Sequence, residues 1–530
     1  MKKYCFAVAL LALPGLAMAQ ANQVDDPAAF RELDGAQLPM YKVVNGTMEF
    51  GQASVGMVRD QTGALCSATL IGCRTLLTAA NCFCTDPASG LVLNGQQCAA
   101  NSGLLDPSKY SVYFQHAGLF GVEKITINPA FTFQENQEQA DVALIRLTEV
   151  VDGVQPTPIN RLTRPGAGSP GTIVGFGRDS VVNDLGLKRS GKVVVSNCTT
   201  VPAAKNLCWN FENPIGAPGS DANSCDGDAG GPMMADFGTG DVVAGVIASG
   251  TSAECTPPDQ AWNTDVAAER AWIEQQAGSD INRNRCGDLP QATKSGATTL
   301  GATATLDSLT TIYQANFDVP ANVGLLRLAL NGEEFKSSTR PDFDLYVKRG
   351  SPPTTSDFDC SSENSGLVEF CEIQAPDAGK YHVLVQRRQG SAKFQIAATY
   401  LTKAATTCTA GPAVLCINDQ GNDKRFKVTV DYSSPPRQIN GQGKAISTAG
   451  IGVPRGGLFW FFSPDNPEVL VKVLNACSLN GYYWVFLSAG TDVGYTATVV
   501  DTTTGVQRTY TNRDLNLADP ESDLQAFACN

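Results

Sequence analysis

The chain has 530 residues, 43% hydrophobic and 17% charged, an ordinary globular composition with length for about three domains. Its net charge of −13 repels phosphate backbones and anionic membranes, which argues against nucleic acid as a partner. Of 17 cysteines, Cys5 sits in the leader described next; the remainder is an even set suited to disulfides in an oxidising compartment. Only His116 and His382 accompany them and no paired Cys-x-x-Cys spacing occurs, so neither a zinc site nor any other cofactor is expected.

Residues 1–19 combine Lys2 and Lys3, an apolar stretch from Phe6 to Leu16 and the small-residue run Ala17-Met18-Ala19, the pattern of a cleaved signal peptide. Losing the two lysines takes the net charge from −13 to −15. The apolar stretch is too short to span a bilayer and no later segment approaches ~18 unbroken apolar residues, so no transmembrane segment is expected. The chain is expected to be secreted, through the periplasm in a Gram-negative cell. Residues 20–42 are polar and aperiodic, as in a pro-segment.

From residue 43 to 277, strand-like runs such as Ala140–Leu147, Gly171–Gly177 and Val242–Ser249 alternate with Gly- and Pro-rich turns. An apolar-periodic stretch through Val266, Ala271, Trp272 and Ile273 predicts one closing helix. Residues 278–297 are polar and turn-rich and read as a linker holding Cys286. Alternation resumes at 298–401, with strands over Ile312–Val319, Leu325–Leu330, Phe343–Val347, Tyr381–Gln386 and Phe394–Tyr400, and again at 406–530, with Phe426–Tyr432, Leu458–Phe462, Val469–Leu474, Tyr483–Leu487 and Tyr495–Asp501. The fold class is all-β, and the last two domains are sandwich-like.

Several words within 43–277 resemble the trypsin-like serine protease family, whose fold is a double β-barrel with a C-terminal helix. They are Lys42-Val43-Val44-Asn45-Gly46, Leu77-Thr78-Ala79-Ala80-Asn81-Cys82 and Cys225-Asp226-Gly227-Asp228-Ala229-Gly230-Gly231-Pro232. The resemblance implies a cut after Lys42, with the new amino terminus of Val43 pairing with Asp228. It places Asp141 as the orienting carboxylate and Gly227 with Ala229 as the two backbone donors of an oxyanion hole. It also puts the general base at position 81 and the nucleophile at 229, where this chain carries Asn81 and Ala229.

Acyl transfer through a triad needs an oxygen nucleophile and a base that can carry its proton. A methyl group supplies no nucleophile, and an amide has no nitrogen that titrates near neutrality. Asn81 is expected to hydrogen-bond to Asp141, leaving that acid a buried, satisfied carboxylate. His116 and His382 fall in strand-like stretches elsewhere and are not expected to act as substitute bases, nor Ser224, in the pocket wall, as a substitute nucleophile. The resemblance assigns the pocket to Asn223, Ala248, Ser249, Gly250 and Ala261. With Asn223 where a tryptic enzyme has aspartate, a neutral pocket is expected in which a basic side chain loses its countercharge. It further implies bridges Cys66–Cys82, Cys198–Cys208 and Cys225–Cys255, with the pairing of Cys73, Cys84, Cys98 and Cys286 open.

Residues 298–401 resemble the bacterial pre-peptidase C-terminal domain through Asn316–Pro320, Asp342–Gly350 and Gly379–Val385. Cys360 and Cys371 are placed for a local bridge there. Asp342 and Asp344 admit a calcium reading, but no full ligand set accompanies them, and capping of a strand entrance is the expectation. In the last domain Phe459–Phe462 and Tyr482–Trp484 alternate, so packing accounts for most of those rings ahead of a sugar-stacking face. Cys408–Cys416 and Cys477–Cys529 are the bridges expected there. Together these readings predict a trypsin-like homologue without catalysis that binds a protein or peptide. The alternatives are an endopeptidase with an unorthodox site and an adhesive protein working, or attached to a cell surface or polymer, through its C-terminal domains.

Overall fold

A computed structural model describes residues 31–32 and 43–529, apart from 135–136, 162, 179–184, 213–218, 239, 283–285, 288, 290–291, 293–296, 335–339, 403–407, 422 and 504. The leader at 1–19 and the position of Lys42 lie outside the described residues. Among the described residues no helix is long and apolar enough to cross a membrane.

Strands Val55–Asp60, Gly63–Leu70, Thr75–Thr78, Ala143–Leu147, Gly118–Ile127 and Ser111–Phe114 close, in that order, into a six-stranded antiparallel barrel. Gly118–Ile127 alternates buried and exposed over most of its length, turning Phe120, Val122, Ile125 and Ile127 inward, each worth roughly 1.5–3 kcal/mol of burial. A seven-stranded sheet follows, ordered Asn206–Phe211, Asp259–Asp265, Asp241–Gly250, Pro232–Asp236, Pro170–Gly175, Arg189–Val194 and Thr47–Met48. The helix Val266–Ala277 buries Val266 and Ile273. The Asp265 side chain caps it by accepting from Ala267 N–H at 3.0 Å, a cap worth about 1 kcal/mol. The expected double barrel with a closing helix is therefore the observed architecture.

Two described residues of the stretch after the closing helix are fastened to the first barrel. Cys286 is bonded to Cys73, and Ala292, 1% exposed, pairs with Val154. The second β region packs a five-stranded sheet ordered Arg31–Glu32, Thr298–Leu306, Ala392–Thr402, Val323–Gly332 and Glu369–Gln374 against one of Ile312–Val319, Gly379–Gln389, Asp342–Arg349 and Cys360–Ser362. Asp342 accepts from Gly366 N–H at 2.8 Å, and Asp344 is engaged by Tyr346 and Arg388. Both acids thus brace their own sandwich.

The last domain stacks two further five-stranded sheets. Phe459, Phe461 and Tyr483 point into its core, while Phe462 is 52% exposed. One end is tied by Arg425, whose guanidinium grips Asp501 at 3.0 and 2.8 Å and donates to the Tyr483 hydroxyl at 2.6 Å. Because Asp501 is fully buried, losing that arginine would strand a charge at a cost of about 3–5 kcal/mol.

The structure joins Cys66–Cys82, Cys198–Cys208, Cys225–Cys255, Cys360–Cys371, Cys408–Cys416 and Cys477–Cys529. The set left open by sequence resolves as Cys73–Cys286 and Cys84–Cys98.

Candidate functional site at the junction of the two barrels

Position 81 follows the strand Thr75–Thr78 directly, on a stretch where Ala79 and Ala80 are fully buried. The backbone N–H of Asn81 donates to Asp141 Oδ1 at 2.9 Å. The side chain does otherwise than expected: its Nδ2 donates to Ala248 O at 3.0 Å, across to the second barrel. The side-chain amide is thus engaged by the wall strand and not by the carboxylate.

Asp141 is 2% exposed, and Ala140 before it takes a left-handed φ of 53°, which delays the strand to Ala143. Its Oδ2 has no partner among the described residues. Burial pushes this carboxyl up to about 7, against the pull of the Asn81 and Ala80 backbone donors and with a further push from Glu138. The expectation of a fully satisfied carboxylate is corrected accordingly: with the Asn81 amide on Ala248, one oxygen is left over.

The turn carrying Ala229 is held from both barrels. Ser67 N–H donates to Ala229 O at 2.9 Å, Gly230 N–H to Ile247 O at 2.8 Å, and Ser67 Oγ to Gly227 O at 2.9 Å. Gly227 and Gly230 have φ of 90° and 84°. A Cβ on Gly230 would fall 2.1 Å from Thr78 Oγ1, so close approach as well as backbone angle demands glycine. Among the described residues the N–H groups of Gly227 and Ala229 have no acceptor.

Asp228 is wholly buried, and its carboxylate accepts from Gly177 N–H at 2.8 Å and Cys225 N–H at 2.9 Å. Val43 is 1% exposed and packs with Ile173, Val193, Trp209 and Ala222. Asn223 N–H bonds to Val44 O at 2.9 Å, so residues 43–46 lie within the second barrel.

In the pocket, Asn223 is fully buried and its Nδ2 donates to Asp259 Oδ2 at 2.7 Å. Asp259 Oδ1 accepts from Thr251 N–H at 2.7 Å, Thr251 Oγ1 at 2.8 Å and Ser252 N–H at 2.9 Å. A Cβ on Gly250 would lie 2.8 Å from the same carboxylate. Ala261 is buried opposite Gly250, Trp262 lies opposite Ser249, and Ser224 is 7% exposed. The neutral base expected from Asn223 is thus corrected to an amide–carboxylate pair. Asp259 escaped sequence reading because its role depends on a hairpin that folds it back over Gly250.

The two histidines lie apart from this group. His116 is 1% exposed and sits between Phe50 O at 2.9 Å and Thr399 Oγ1 at 3.0 Å, in the seam with the second β region. A carbonyl only accepts, so Nε2 carries the proton and Nδ1 accepts from the threonine hydroxyl. His382 lies mid-strand, paired with Asn316 and Lys348.

Comparison with known proteins gives the same picture. The trypsin family profile matches residues 44–273, and that of the bacterial pre-peptidase C-terminal domain matches residues 315–387. Phenoloxidase-activating factor 3 of Holotrichia diomphalia is 26% identical over 257 residues, 46% of this chain and 70% of that protein. Xanthomonalisin of a Xanthomonas strain is 41% identical over 59 residues, and a zinc metalloprotease of Helicobacter pylori 51% over 45. Those two matches cover only 11% and 8% of this chain, and 7% and 18% of the relatives' own lengths. This chain is a trypsin-like protease homologue carrying a bacterial pre-peptidase C-terminal domain.

Proposed function

We propose that the chain is a secreted pseudoprotease, which holds a protein or peptide through its trypsin-like domain without cutting it. The observation that carries this reading is the trio at the barrel junction: Ala229 offers a methyl group, Asn81 has its amide on Ala248 O, and Asp141 keeps an oxygen with no described partner. Asn81 cannot take a proton from a nucleophile, and Ala229 supplies no nucleophile. In a serine protease of unrelated fold, losing either function costs on the order of 10⁶ in kcat. What remains is a binding surface. Pro232–Asp236 pairs with Asp241–Gly250 only as far as Pro232 opposite Val246, leaving Ser249 and Gly250 an edge to which an extended peptide can add as a strand.

The similarity to a protein named as a phenoloxidase-activating factor is in keeping with a role directed at a partner. Secretion is supported by the eight disulfides and by the leader pattern of residues 1–19. The test is hydrolysis of casein and a mixed peptide library by the chain cut after Lys42, beside its Asn81→His/Ala229→Ser double variant, both made in a protease-free host. A silent parent and an active variant are expected; an active parent overturns the reading.

A further inference from the structure

The turn that bears Gly227 and Ala229 rests on a segment gripped by the second β region. Leu185 lies directly beneath Gly227, where an added Cβ would come within 2.4 Å of Leu185 Cδ2. Gly186 N–H donates to Phe176 O at 2.9 Å, and Arg189 Nη1 to Gly177 O at 2.6 Å, while Gly177 N–H holds the Asp228 carboxylate. Residues 185–189 are therefore one contact away from the turn at two points.

The other side of that segment belongs to the second β region. Gln395 grips the backbone of Lys188 at both ends, its Oε1 accepting from Lys188 N–H at 2.6 Å and its Nε2 donating to Lys188 O at 2.8 Å. Asn331 Nδ2 donates to Gly186 O at 2.7 Å and to Gln395 Oε1 at 2.8 Å, and Glu334 N–H donates to Leu185 O at 2.8 Å. Gly186 approaches so closely that a Cβ there would stand 2.3 Å from Gly332 O. Asn331, Gln395 and Lys188 are all wholly buried, so these amides have no water to fall back on. Because this seam is polar and geometrically exact in its pairing, it fixes register as well as proximity.

We propose that the pre-peptidase C-terminal region is a positioning part of the trypsin-like site, its Asn331–Gln395 amide pair clamping residues 185–188 so that the Gly227–Ala229 turn is held in its conformation. The region then acts on the site from behind, through Leu185 and Gly177, and does not touch a ligand. Detaching it would loosen the site even though the six-stranded barrel remains closed on itself.

The test is amide hydrogen exchange by mass spectrometry on the full chain and on Gln395→Ala, with Asn331→Ser as the milder variant in case the first does not fold. The turn amides of Cys225, Asp228, Gly230 and Gly231 are hydrogen-bonded and so report opening. In either variant, exchange in peptides covering 185–189 and 224–231 should rise at least tenfold, with the strands at 63–70 and 312–319 unchanged. Thr399→Val, which removes a seam hydrogen bond that is not part of the clamp, should leave 224–231 as in the parent. The proposal is overturned if 185–189 opens while 224–231 stays within twofold of the parent, or if Thr399→Val opens the turn equally. None of these readings depends on whether the chain binds or cuts a peptide.

Discussion

Acid should loosen the seam through His116. Burial first, then Lys188, holds its imidazole down to about 3, with Arg327 adding to the same effect and the Phe50 carbonyl opposing it. The folded value is depressed, so the stability this residue contributes is fully present above the unfolded value near 6.5 and is lost as pH falls toward 3. At pH 5 the unfolded ring is almost all protonated and the buried one almost all neutral, which removes about 2 kcal/mol relative to pH 8. Raising the folded value by a whole unit changes that figure by only about 0.1 kcal/mol, because the unfolded ring sets it. Ring NMR can check this, since the chain has two histidines and a His382→Gln variant assigns them. His116 should keep the neutral Nε2–H signature at pH 5, and urea unfolding should show the parent losing about 2 kcal/mol more than His116→Gln between pH 8 and 5. A His116 signal titrating with a midpoint near 6 would refute the argument.

Asp141→Asn should stabilise the chain at pH 8, because the parent must there ionise a carboxyl held up near 7. The advantage, at most about 4 kcal/mol, should shrink as pH falls from 7 toward 4, and a stability difference that ignores pH would contradict it. Asp228→Asn should behave oppositely, costing roughly 1–3 kcal/mol in urea unfolding, since one amide cannot accept from Gly177 and Cys225 on both of its terminal atoms. Replacing Cys73 and Cys286 together by serine opens a bridge spanning 213 residues; the chain-entropy ceiling is about 5 kcal/mol, and a melting temperature within about 2 °C of the parent would show that other contacts fasten residues 278–297.

Strand positions were legible wherever large apolar residues alternate. Ile312–Val319 begins and ends where the alternation does, and Phe426, Val428 and Val430 face inward as their spacing requires. Thr298–Leu306 was invisible as a strand because its Thr, Ala and Gly residues give no contrast between faces. The seam was hidden for a related reason. Lys188, Asn331 and Gln395 are buried where the second β region meets the barrel, and alternation says which residues share a face but not what lies upon it. At the site, chain words located Asn81, Asp141 and Ala229, but not the side-chain directions. Whether Asn81 turns to Asp141 or to Ala248 depends on reach across two barrels, and the place of Asp259 depends on the hairpin between Gly250 and Ala261.

The two buried acids of the site point in different directions, and their contrast bears on why the scaffold persists. Asp228 is held by two backbone donors, and glycine at 175 and 177 leaves it room, since a Cβ at either would strike its carboxylate at 2.1 or 2.4 Å. Asp141 keeps an orphan oxygen and a carboxyl that burial drives toward neutrality. An imidazolium would have rewarded that carboxylate with charge; an amide bonded elsewhere does not. The acid that shapes the turn is therefore integrated with its neighbours, while the acid that would orient a base is a local cost. The scaffold around both acids holds the glycine turn from Ser67 on one side and from Leu185 on the other.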